Sequence, residues 1–550
     1  LNNLIESNYR IVIAQLNPTI GDIEGNSQLI INAIDKACEQ LQAHCIVFSE
    51  LMLTGYPPED LLHRPAFIDA CEEKLKYIAD HCENITAILG APYRDNSGEL
   101  FNAAYILKDK RVIGIAKKQC LPNYSVFDEE RYFTAGETST VVELHDGIKA
   151  GISICEDIWY EQPAAAIRQA GADIIINLNA SPFHIGKYQQ RINTLLQRVK
   201  ETGMPIIYVN QTGGQDELVF DGFSVAINSS GEIKAMAPSF KDAMHVVDLT
   251  YREQEPIQIN GQINERPTSD ALLYQALVCG VRDYVNKNNF SGAILGLSGG
   301  VDSALTLAIA VDALGADRVT AVMMPSQYTA DMSQEDAQTE ANTLGIEYHV
   351  IPIEPAFKAF NEMLSEVFAS SDKDVTEENL QARSRGVVLM AISNKLGKIV
   401  LTTGNKSEMA VGYATLYGDM AGGFAPLKDV YKTKVYDLCR YRNSLGEVIP
   451  ERVINRPPTA ELAPDQLDQD SLPPYDVLDG ILKLYLENSR SGKEIIEAGY
   501  DVGYVNDTLN KVDRNEYKRR QAPPGIKVTE KAFGRDRRYP ITSGYRNTAY

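Results

Sequence analysis

The sequence predicts an α/β protein in two halves, each a layered sheet flanked by helices, and three observations carry that expectation. Short β-rich runs alternate with longer amphipathic segments from residue 10 to about 248, and the alternation resumes from 293 to 404. A polar stretch without periodicity, 251–267, reads as a linker between domains at 1–250 and 268–550. At 550 residues the chain is too long for one ordinary core, which makes two domains the expectation.

Composition narrows the class. Apolar residues make up 44% and charged residues 23%, the proportions of a soluble globular protein. The net charge of −21, from 53 Lys+Arg against 74 Asp+Glu, argues against a general nucleic-acid or membrane-surface partner and leaves room for a local basic patch. No 18-residue apolar run occurs, and the opening residues lack a basic region followed by an apolar one, so a cytoplasmic protein is expected. The eight cysteines form no C-x-x-C and the seven histidines do not cluster with them. Neither a zinc site nor a disulfide framework is indicated.

In the first half, the runs Ile11-Val-Ile-Ala-Gln15, Cys45-Ile-Val-Phe48, Thr86-Ala-Ile-Leu89, Ala104-Tyr-Ile-Leu107, Val112-Ile-Gly-Ile115, Ala150-Gly-Ile-Ser-Ile154, Asp173-Ile-Ile-Ile-Asn177 and Ile206-Ile-Tyr-Val-Asn210 read as strands. Between them, Leu29, Ala33, Ala37 and Leu41 fall on one helical face. Three strands end in a reactive side chain: Glu50 after one, Lys117-Lys118 after another, Cys155 after a third, an arrangement expected to converge on one sheet edge. Singly, each has a plain reading as a buried small thiol or a solvated charge. Together they make a nucleophile, a base and a cation, and a thiol beside a cation and a carboxylate can lose its proton near neutral pH.

Glu50-Leu-Met-Leu-Thr-Gly-Tyr56-Pro, Lys118-Gln-Cys-Leu-Pro122-Asn-Tyr124 and Cys155-Glu-Asp-Ile-Trp159 resemble, in order, the Glu, Lys and Cys motifs of the nitrilase superfamily over about residues 8–250. The resemblance implies an αββα layered domain with Cys155 as nucleophile, Glu50 as general base and Lys118 as stabiliser of the tetrahedral intermediate. Lys118 rather than Lys117 aligns, by its distance from Leu121-Pro122. Glu129 matches a second glutamate that relatives place beside the triad, with a surface acid as the alternative, and Tyr56, Phe127 and Ser181 are candidates for holding a glutamine substrate. This half by itself indicates an amidase without naming the amide.

The second half opens with a helix start at Thr268-Ser269-Asp270, after which Leu273, Leu277, Val281 and Val285 recur every four residues. An apolar strand, Ala293 to Leu297, then breaks into Ser298-Gly299-Gly300-Val301-Asp302-Ser303 and resumes as a helix. Small residues there let backbone N–H groups face an anion at a helix N-terminus, the makings of a phosphate cradle. It is not a Walker loop, because no Lys follows Gly300. Further strands within 318–326, 347–353 and 398–404, separated by helices, predict a doubly wound parallel sheet of Rossmann-like type.

Ser298 to Ser303 resembles the S-G-G-x-D-S loop of ATP pyrophosphatases, which implies cleavage of ATP to AMP and pyrophosphate, with Asp302 on Mg²⁺. Asn379-Leu-Gln-Ala-Arg383-Ser-Arg385, Thr402-Thr403-Gly-Asn-Lys-Ser-Glu408, Tyr417-Gly-Asp419 and Pro426-Leu-Lys-Asp-Val-Tyr-Lys432 resemble the NAD synthetase branch. With the amidase half, the chain is similar throughout to the glutamine-dependent NAD synthetase family. That resemblance implies ATP contacts from Ser298, Gly299, Gly300, Val301, Asp302, Ser303, Arg383, Thr403 and Lys432. It also implies Mg²⁺ on Asp302 and Glu408, and deamido-NAD near Asp419 and Glu408. The reaction implied is deamido-NAD + ATP + glutamine + water to NAD, AMP, pyrophosphate and glutamate. Ammonia passing between two sites calls for a sheltered passage, and a homo-oligomer is the expected assembly.

Two rivals are a tRNA-thiolating enzyme with the same loop, opposed by the charge and the missing C-x-x-C, and an inactive scaffold, opposed by the intact Glu50, Lys118, Cys155 and Asp302. Residues 451–474, Pro-rich and acidic, read as a long loop. The basic segments Lys518-Arg-Arg520 and Lys531 to Arg538 fit either the acceptor's pyrophosphate, a solvated face or a subunit contact.

Overall fold

The computed structural model describes residues 6–145, 147–252, 255–459, 461–463, 468–470 and 472–545. The first five residues, and parts of the 451–474 loop, lie outside them. Two compact units result, Leu1–Pro267 and Thr268–Tyr550.

Unit 1 begins β1 (Glu6–Gln15), α1 (Ile23–Glu39), β2 (Cys45–Val47), α2 (Pro65–Asp80), β3 (Thr86–Arg94), β4 (Leu100–Lys108) and β5 (Arg111–Lys117). It continues through β6 (Thr140–His145), β7 (Ile148–Ile154), α3 (Glu161–Gln169), β8 (Ile174–Asn179), α4 (Lys187–Thr202) and β9 (Ile206–Asn210). Short strands complete it: β10 (Thr212–Gln215), β11 (Leu218–Asp221), β12 (Val225–Ile227), β13 (Ile233–Met236), β14 (Ala243–Arg252) and β15 (Gln258–Gly261).

The main strands form two sheets, of order β15-β14-β1-β2-β3-β4-β5 and β13-β12-β9-β8-β7-β6. Strand alternation decides the layers. Ile11, Ile13, Val47, Ile88 and Ile106 of the first sheet meet Ile152, Ile154, Ile176, Leu178 and Val209 of the second in one buried layer. The opposite side chains of the first sheet, Val12, Ile46 and Leu89 among them, pack under α1 and α2 through Ile30, Ile34, Leu75 and Ile78. On the other side α3 lies so close to β7 that a Cβ on Gly151 would stand 2.0 Å from Ile167 Cγ2. The layers are therefore αββα.

The stretch read as a linker is more ordered than its sequence suggests. Residues 258–261 pair antiparallel with β14 as an edge strand, and Ile257 and Ile259 are buried beneath it. Two apolar residues among polar ones are too few to show a period, yet suffice to anchor an edge.

Unit 2 runs α5 (Ser269–Lys287), β16 (Ala293–Gly296), α6 (Val301–Leu314), β17 (Val319–Met323), α7 (Asp331–Leu344), β18 (Glu347–Val350), α8 (Glu354–Leu364), α9 (Val375–Leu396) and β19 (Ile399–Val400). Its sheet has the order β18-β17-β16-β19, all parallel. The chain leaves β16 toward β17 and β18 and returns on the far side of β16 as β19. That reversal makes a switch point where the loops after β16 and β19 open together, the usual place for a ligand in such sheets. Beyond it come α10 (Lys406–Val411), α11 (Lys432–Ser444), α12 (Glu451–Asn455), α13 (Tyr475–Leu482), α14 (Gly492–Glu497), α15 (Val502–Arg514) and α16 (Glu516–Arg519). Met409 to Val411 of α10 share a second core with Leu478, Ile481, Val505, Leu509 and Val512. Helix α12 and a turn at Asp468–Asp470 lie within the stretch read as loop.

Glu340 on α7 is buried with Oε1 unpaired, and burial, helped by Asp336, pushes its carboxyl up to about 8. In the fold it keeps a proton that the unfolded chain releases at ordinary carboxylate pKa, so the stability it contributes is complete at low pH. That contribution is lost as pH rises toward 8. Urea midpoints of the wild type should therefore fall over this range, by at most about 1.4 kcal/mol per pH unit, and Glu340→Gln should flatten the fall.

Candidate active sites

In unit 1 the strand ends converge, though from both sheets rather than from one edge. Glu50 follows β2 and Lys118 follows β5 of the first sheet, while Cys155 follows β7 of the second. Stacking of the two sheets brings the ends together. Gly90 on β3 allows the Glu50 loop to lie against the sheet, since a Cβ there would stand 2.4 Å from Leu51 N and Ser49 O. Cys155 itself has φ +43°, an uncommon left-handed conformation for a residue with a side chain, at the point where strand becomes 3₁₀ turn.

Lys118 is fully buried, and its Nζ donates to Glu50 Oε1 at 2.6 Å and to the Glu129 carboxylate at 2.8 Å. Lys117 points elsewhere, its Nζ 3.6 Å from the centre of the Phe101 ring. Glu129 is buried too, on a 3₁₀ turn, and accepts from Tyr56 Oη at 2.8 Å. Its carboxyl is pushed up to about 7 by burial and by Glu50, against the pull of Lys118. For Lys118 burial works against the charge, but Glu129 and Glu50 outweigh it and hold the ammonium well above its ordinary range. Burial and Glu50 raise the Cys155 thiol, and Lys118 opposes them. The free thiol is therefore protonated and needs a base within the same site.

Several residues in this site had no sequence motif to mark them. Asn102 Nδ2 donates to Glu50 Oε1 at 2.8 Å, and the Ala180 N–H donates to Glu50 Oε2 at 3.0 Å. Asp157 accepts from the N–H groups of Gln119, Cys120 and Ile154 at 2.9, 2.8 and 3.0 Å, stapling the Cys155 turn to the Lys118 loop. Burial pushes its carboxyl up to about 6 in spite of those donors. Glu156 is buried and accepts from Tyr124 Oη at 2.9 Å. Lys187 of α4 places Nζ 4.2 Å from the Trp159 ring centre, its pKa lowered by burial and by Arg191 while Cys155 and Glu156 oppose the shift.

Of the candidates for substrate contact, Phe127 packs edge-on to Tyr124 at 5.7 Å. Ser181 is buried, with its N–H on Asn210 Oδ1 at 2.9 Å and its hydroxyl accepting from Arg191 at 3.3 Å. Arg191 is held in turn by the buried Asp221 at 3.0 Å.

In unit 2 the loop after β16 closes on itself. Gly299 has φ +77°, and a Cβ there would meet Ser333 O at 2.3 Å, so both conformation and space demand glycine. The Ser298 N–H donates to Ser303 Oγ at 3.2 Å, the Gly300 N–H to Ser298 Oγ at 3.2 Å, and Ser303 Oγ to Gly300 O at 2.9 Å. The loop is thus shaped by its own hydroxyls, with the N-terminus of α6 behind it starting at Val301. Arg456, from the Pro-rich stretch, ties it down by donating to Gly299 O at 2.8 Å and Ser333 Oγ at 2.9 Å.

Beside the loop, Lys432 Nζ bridges two acids, donating to Asp302 Oδ2 and, at 3.2 Å, to Glu408 Oε1. Asn405 caps α10 and donates its Nδ2 to Asp302 Oδ1 at 2.9 Å. Burial pushes Glu408 up to about 8, and Asp302 adds to the shift while Lys432 resists it. Lys432 lies well above its ordinary range because Asp302 and Glu408 outweigh its burial. Glu408 and Asp419 line one pocket with Thr402, Gly404 and Met420, and Thr403 is half-buried next to it. Val301 is buried in α6. Arg383 is exposed on α9 and donates to Leu416 O at 3.2 Å, which leaves it at the rim rather than in the Asp302 cluster.

The basic C-terminal segments are divided: Arg519 and Arg537 are buried, while Arg520, Arg535 and Arg538 are exposed. Arg519, Arg520 and Arg537 converge on Glu516 at 3.0, 3.1 and 2.9 Å, and Lys527 pairs with Asp536 at 2.5 Å. Lys518 Nζ donates to Gly412 O and Ala414 O, each at 2.8 Å, on the stretch that precedes Asp419.

Comparison with known proteins accords with this division. A carbon-nitrogen hydrolase family model matches residues 10–255 and an NAD synthase model residues 273–522. The glutamine-dependent NAD(+) synthetase of Acinetobacter baylyi is 47% identical over 542 residues, 98% of this chain and 99% of the relative. That of Aquifex aeolicus is 46% identical over 570 residues, 97% of this chain and 99% of its own. Among solved structures, the Acinetobacter baumannii glutamine-dependent NAD+ synthetase in complex with ADP superposes with a TM-score of 0.79 at 45% identity, covering 99% of this chain and 100% of that one. The Cytophaga hutchinsonii enzyme, at 23% identity and TM-score 0.82 over 98% of both chains, shares the fold. With both domains matched and nearly the full length covered at this identity, the chain belongs to the glutamine-dependent NAD(+) synthetase family.

Proposed function

We propose that unit 1 releases ammonia from glutamine at Cys155 and that unit 2 uses it to amidate the carboxylate of deamido-NAD, activated by ATP. The observation that carries the first half is the buried Lys118 clamped between Glu50 and Glu129 beside Cys155. Both lone pairs of Glu50 Oε1 are engaged by Lys118 and Asn102, and Oε2 takes one N–H from Ala180. One lone pair of Oε2 is left for the thiol proton.

Glu50 takes that proton as sulfur attacks the amide carbon, and the carbonyl electrons move to oxygen. Lys118 spends two N–H groups on the two carboxylates, which leaves the third for the oxyanion. Protonated Glu50 then gives its proton to the leaving nitrogen, the C–N bond breaks, and ammonia departs from a glutamyl thioester on Cys155. A water that loses its proton to Glu50 cleaves the thioester to glutamate, restoring thiol and carboxylate. Tyr56, Phe127 and Ser181 line the substrate's place. Glu156 and Lys187, of opposite charge and both felt by Cys155, suit the α-ammonium and α-carboxylate of glutamine.

In unit 2, the N–H groups of Ser298 to Ser303 and the α6 N-terminus hold the phosphates of ATP, with Thr403, Lys432 and Arg383 around the nucleotide and Asp419 at the pyridine end of the acceptor. The acceptor carboxylate oxygen attacks the α-phosphorus and pyrophosphate leaves. Ammonia then attacks the adenylated carbonyl carbon, and AMP departs. Asp302 and Glu408 are hard oxygen donors already converging on one cation, the Lys432 ammonium. Among the described residues no three His, Cys, Asp or Glu could hold a metal by themselves, so the remaining ligands would come from phosphate and water, as suits Mg²⁺. When bound, Mg²⁺ would neutralise phosphate charge at these two carboxylates. Because ammonium is not nucleophilic, the nitrogen needs a sheltered path between the sites, and we place the enzyme in the cytoplasm as a homo-oligomer.

The first test compares NAD formation from deamido-NAD and ATP with glutamine or ammonium chloride as nitrogen source. Cys155→Ala should abolish the glutamine-driven rate and keep the ammonium-driven one; loss of both, or of neither, would refute the division of labour. Lys432→Met, which leaves Asp302 and Glu408 as an unneutralised buried pair, should cut both rates by about 100-fold or more. Glutamate release without acceptor should survive in that variant if unit 1 works by the residues named.

A further inference from the structure

Asn102 lies on β4 with Ala104 and Ile106 following on the same face, toward the second sheet. It touches both carboxylates of the first site with its side chain and the main chain of Lys118 with its own. Its main-chain oxygen accepts from the Lys118 N–H at 2.9 Å, and its Nδ2 donates to Glu50 Oε1 at 2.8 Å and reaches Glu129 Oε2 at 3.5 Å. Oδ1, although buried, has no partner. The orientation of the amide follows from its neighbours, because the other way round would set an oxygen against two carboxylates. An unpaired buried acceptor is a standing cost, and a residue kept only to fill a strand position has no reason to carry it.

We propose that Asn102 is the positioning residue that makes Glu50, rather than Glu129, the base toward Cys155. The inference rests on the glutamine-hydrolysing role given to Cys155 above. One buried lysine faces two acids, so the site carries one negative charge too many and the two carboxyls compete for a proton. The better-solvated anion keeps the charge. Glu50 receives Lys118 at 2.6 Å, Asn102 at 2.8 Å and the Ala180 N–H at 3.0 Å. Glu129 receives Lys118 and Tyr56, each at 2.8 Å, and Asn102 only at the 3.5 Å limit, where little bonding remains. The asymmetry between the two therefore comes from Asn102 and the Ala180 N–H. By filling the second lone pair of Oε1, Asn102 also directs proton transfer to Oε2. Glu50 is faced by Lys118, Glu129, Tyr56, Cys155 and Glu156, with Lys187, Arg191, Tyr124 and Tyr208 acting on Cys155 behind them, and Asn102 is the neutral amide that bonds both acids.

Asn102→Ala withdraws a donor from the ionised base, so the base holds its proton to higher pH. In the full-length enzyme the glutamine-driven kcat should fall about 100-fold with the glutamine KM within about twofold. Its acid limb should move up by about one pH unit, and the ammonium-driven rate should stay as in wild type. Asn102→Asp keeps the size, replaces the donors with a third acid, and should move the limb further. Alkylation of Cys155 by iodoacetamide, followed by mass spectrometry against pH, should shift in the same direction. A fall in rate with the limb and alkylation profile unmoved would make Asn102 a space filler and overturn the proposal, as would an unchanged rate. Should Asn102→Ala also lose ammonium-driven synthesis through misfolding, the same-sized Asp variant decides. Glutamine-driven synthesis surviving in Cys155→Ala would instead refute the role of Cys155, a failure distinct from that of Asn102.

Discussion

A lysine held out of water between two carboxylates is the constraint on which each unit is built. In unit 1 it is Lys118 between Glu50 and Glu129, and in unit 2 Lys432 between Asp302 and Glu408. Burying one cation and two anions costs several kcal/mol per ion unless geometry and further hydrogen bonds compensate. The compensation is visible in both places. Asn102, Tyr56 and the Ala180 N–H serve the first cluster, and Asn405 serves the second. Burial, with the second acid of each cluster adding to it, drives one acid in each toward neutrality, Glu129 to about 7 and Glu408 to about 8. Such carboxyls sit near the pH at which protons must be exchanged.

The fold serves these clusters by bringing strand ends together. Glu50, Lys118 and Cys155 were legible because each stands within two residues of the end of an apolar run, and a charged or thiol side chain at a strand's end is conspicuous against its neighbours. What the sequence could not convey is that the ends belong to two stacked sheets. Period-two patterns mark a strand and its faces but not which sheet it joins. The same limit hid Asn102, a polar residue in an otherwise apolar strand, and Asp157, which staples loops of different sheets. Glu129 stands in a run of charges, Asp128 to Arg131, that by itself reads as surface; the family resemblance, not its local sequence, pointed to a place beside the triad, where it is buried against Lys118.

In unit 2 the loop after β16 was legible for a local reason: small residues between strand and helix announce close backbone approach, and Gly299 lacks room for a Cβ. Arg456 was not, since its contact with the loop spans 157 positions of chain. The basic C-terminus was open to three readings because charge runs say nothing of what faces them. Arg519, Arg520 and Arg537 turn out to gather on Glu516, and Lys518 and Arg519 reach back to main-chain carbonyls between 409 and 414, ahead of Asp419.

An acidic chain that takes a triphosphate must keep its positive potential local, and the fate of the remaining cations explains how. Many of those described are paired within the fold: Lys406 with Asp429 and Glu487, Arg191 with Asp221, Arg452 with Asp336. A cation fully matched by its own acid projects little field beyond that pair. Arg385 differs, because its guanidinium donates to the Met324 carbonyl at 3.0 Å and burial lowers it to about 10, with Glu461 and Asp419 only opposing the shift. Positive charge held without a full counter-charge, near the switch point of the sheet and together with the α6 N-terminus, is what an anionic nucleotide can neutralise. The net charge of −21 therefore does not oppose nucleotide binding: pairing elsewhere removes competing fields, and Arg385 stands at the end of β17, the strand beside β16.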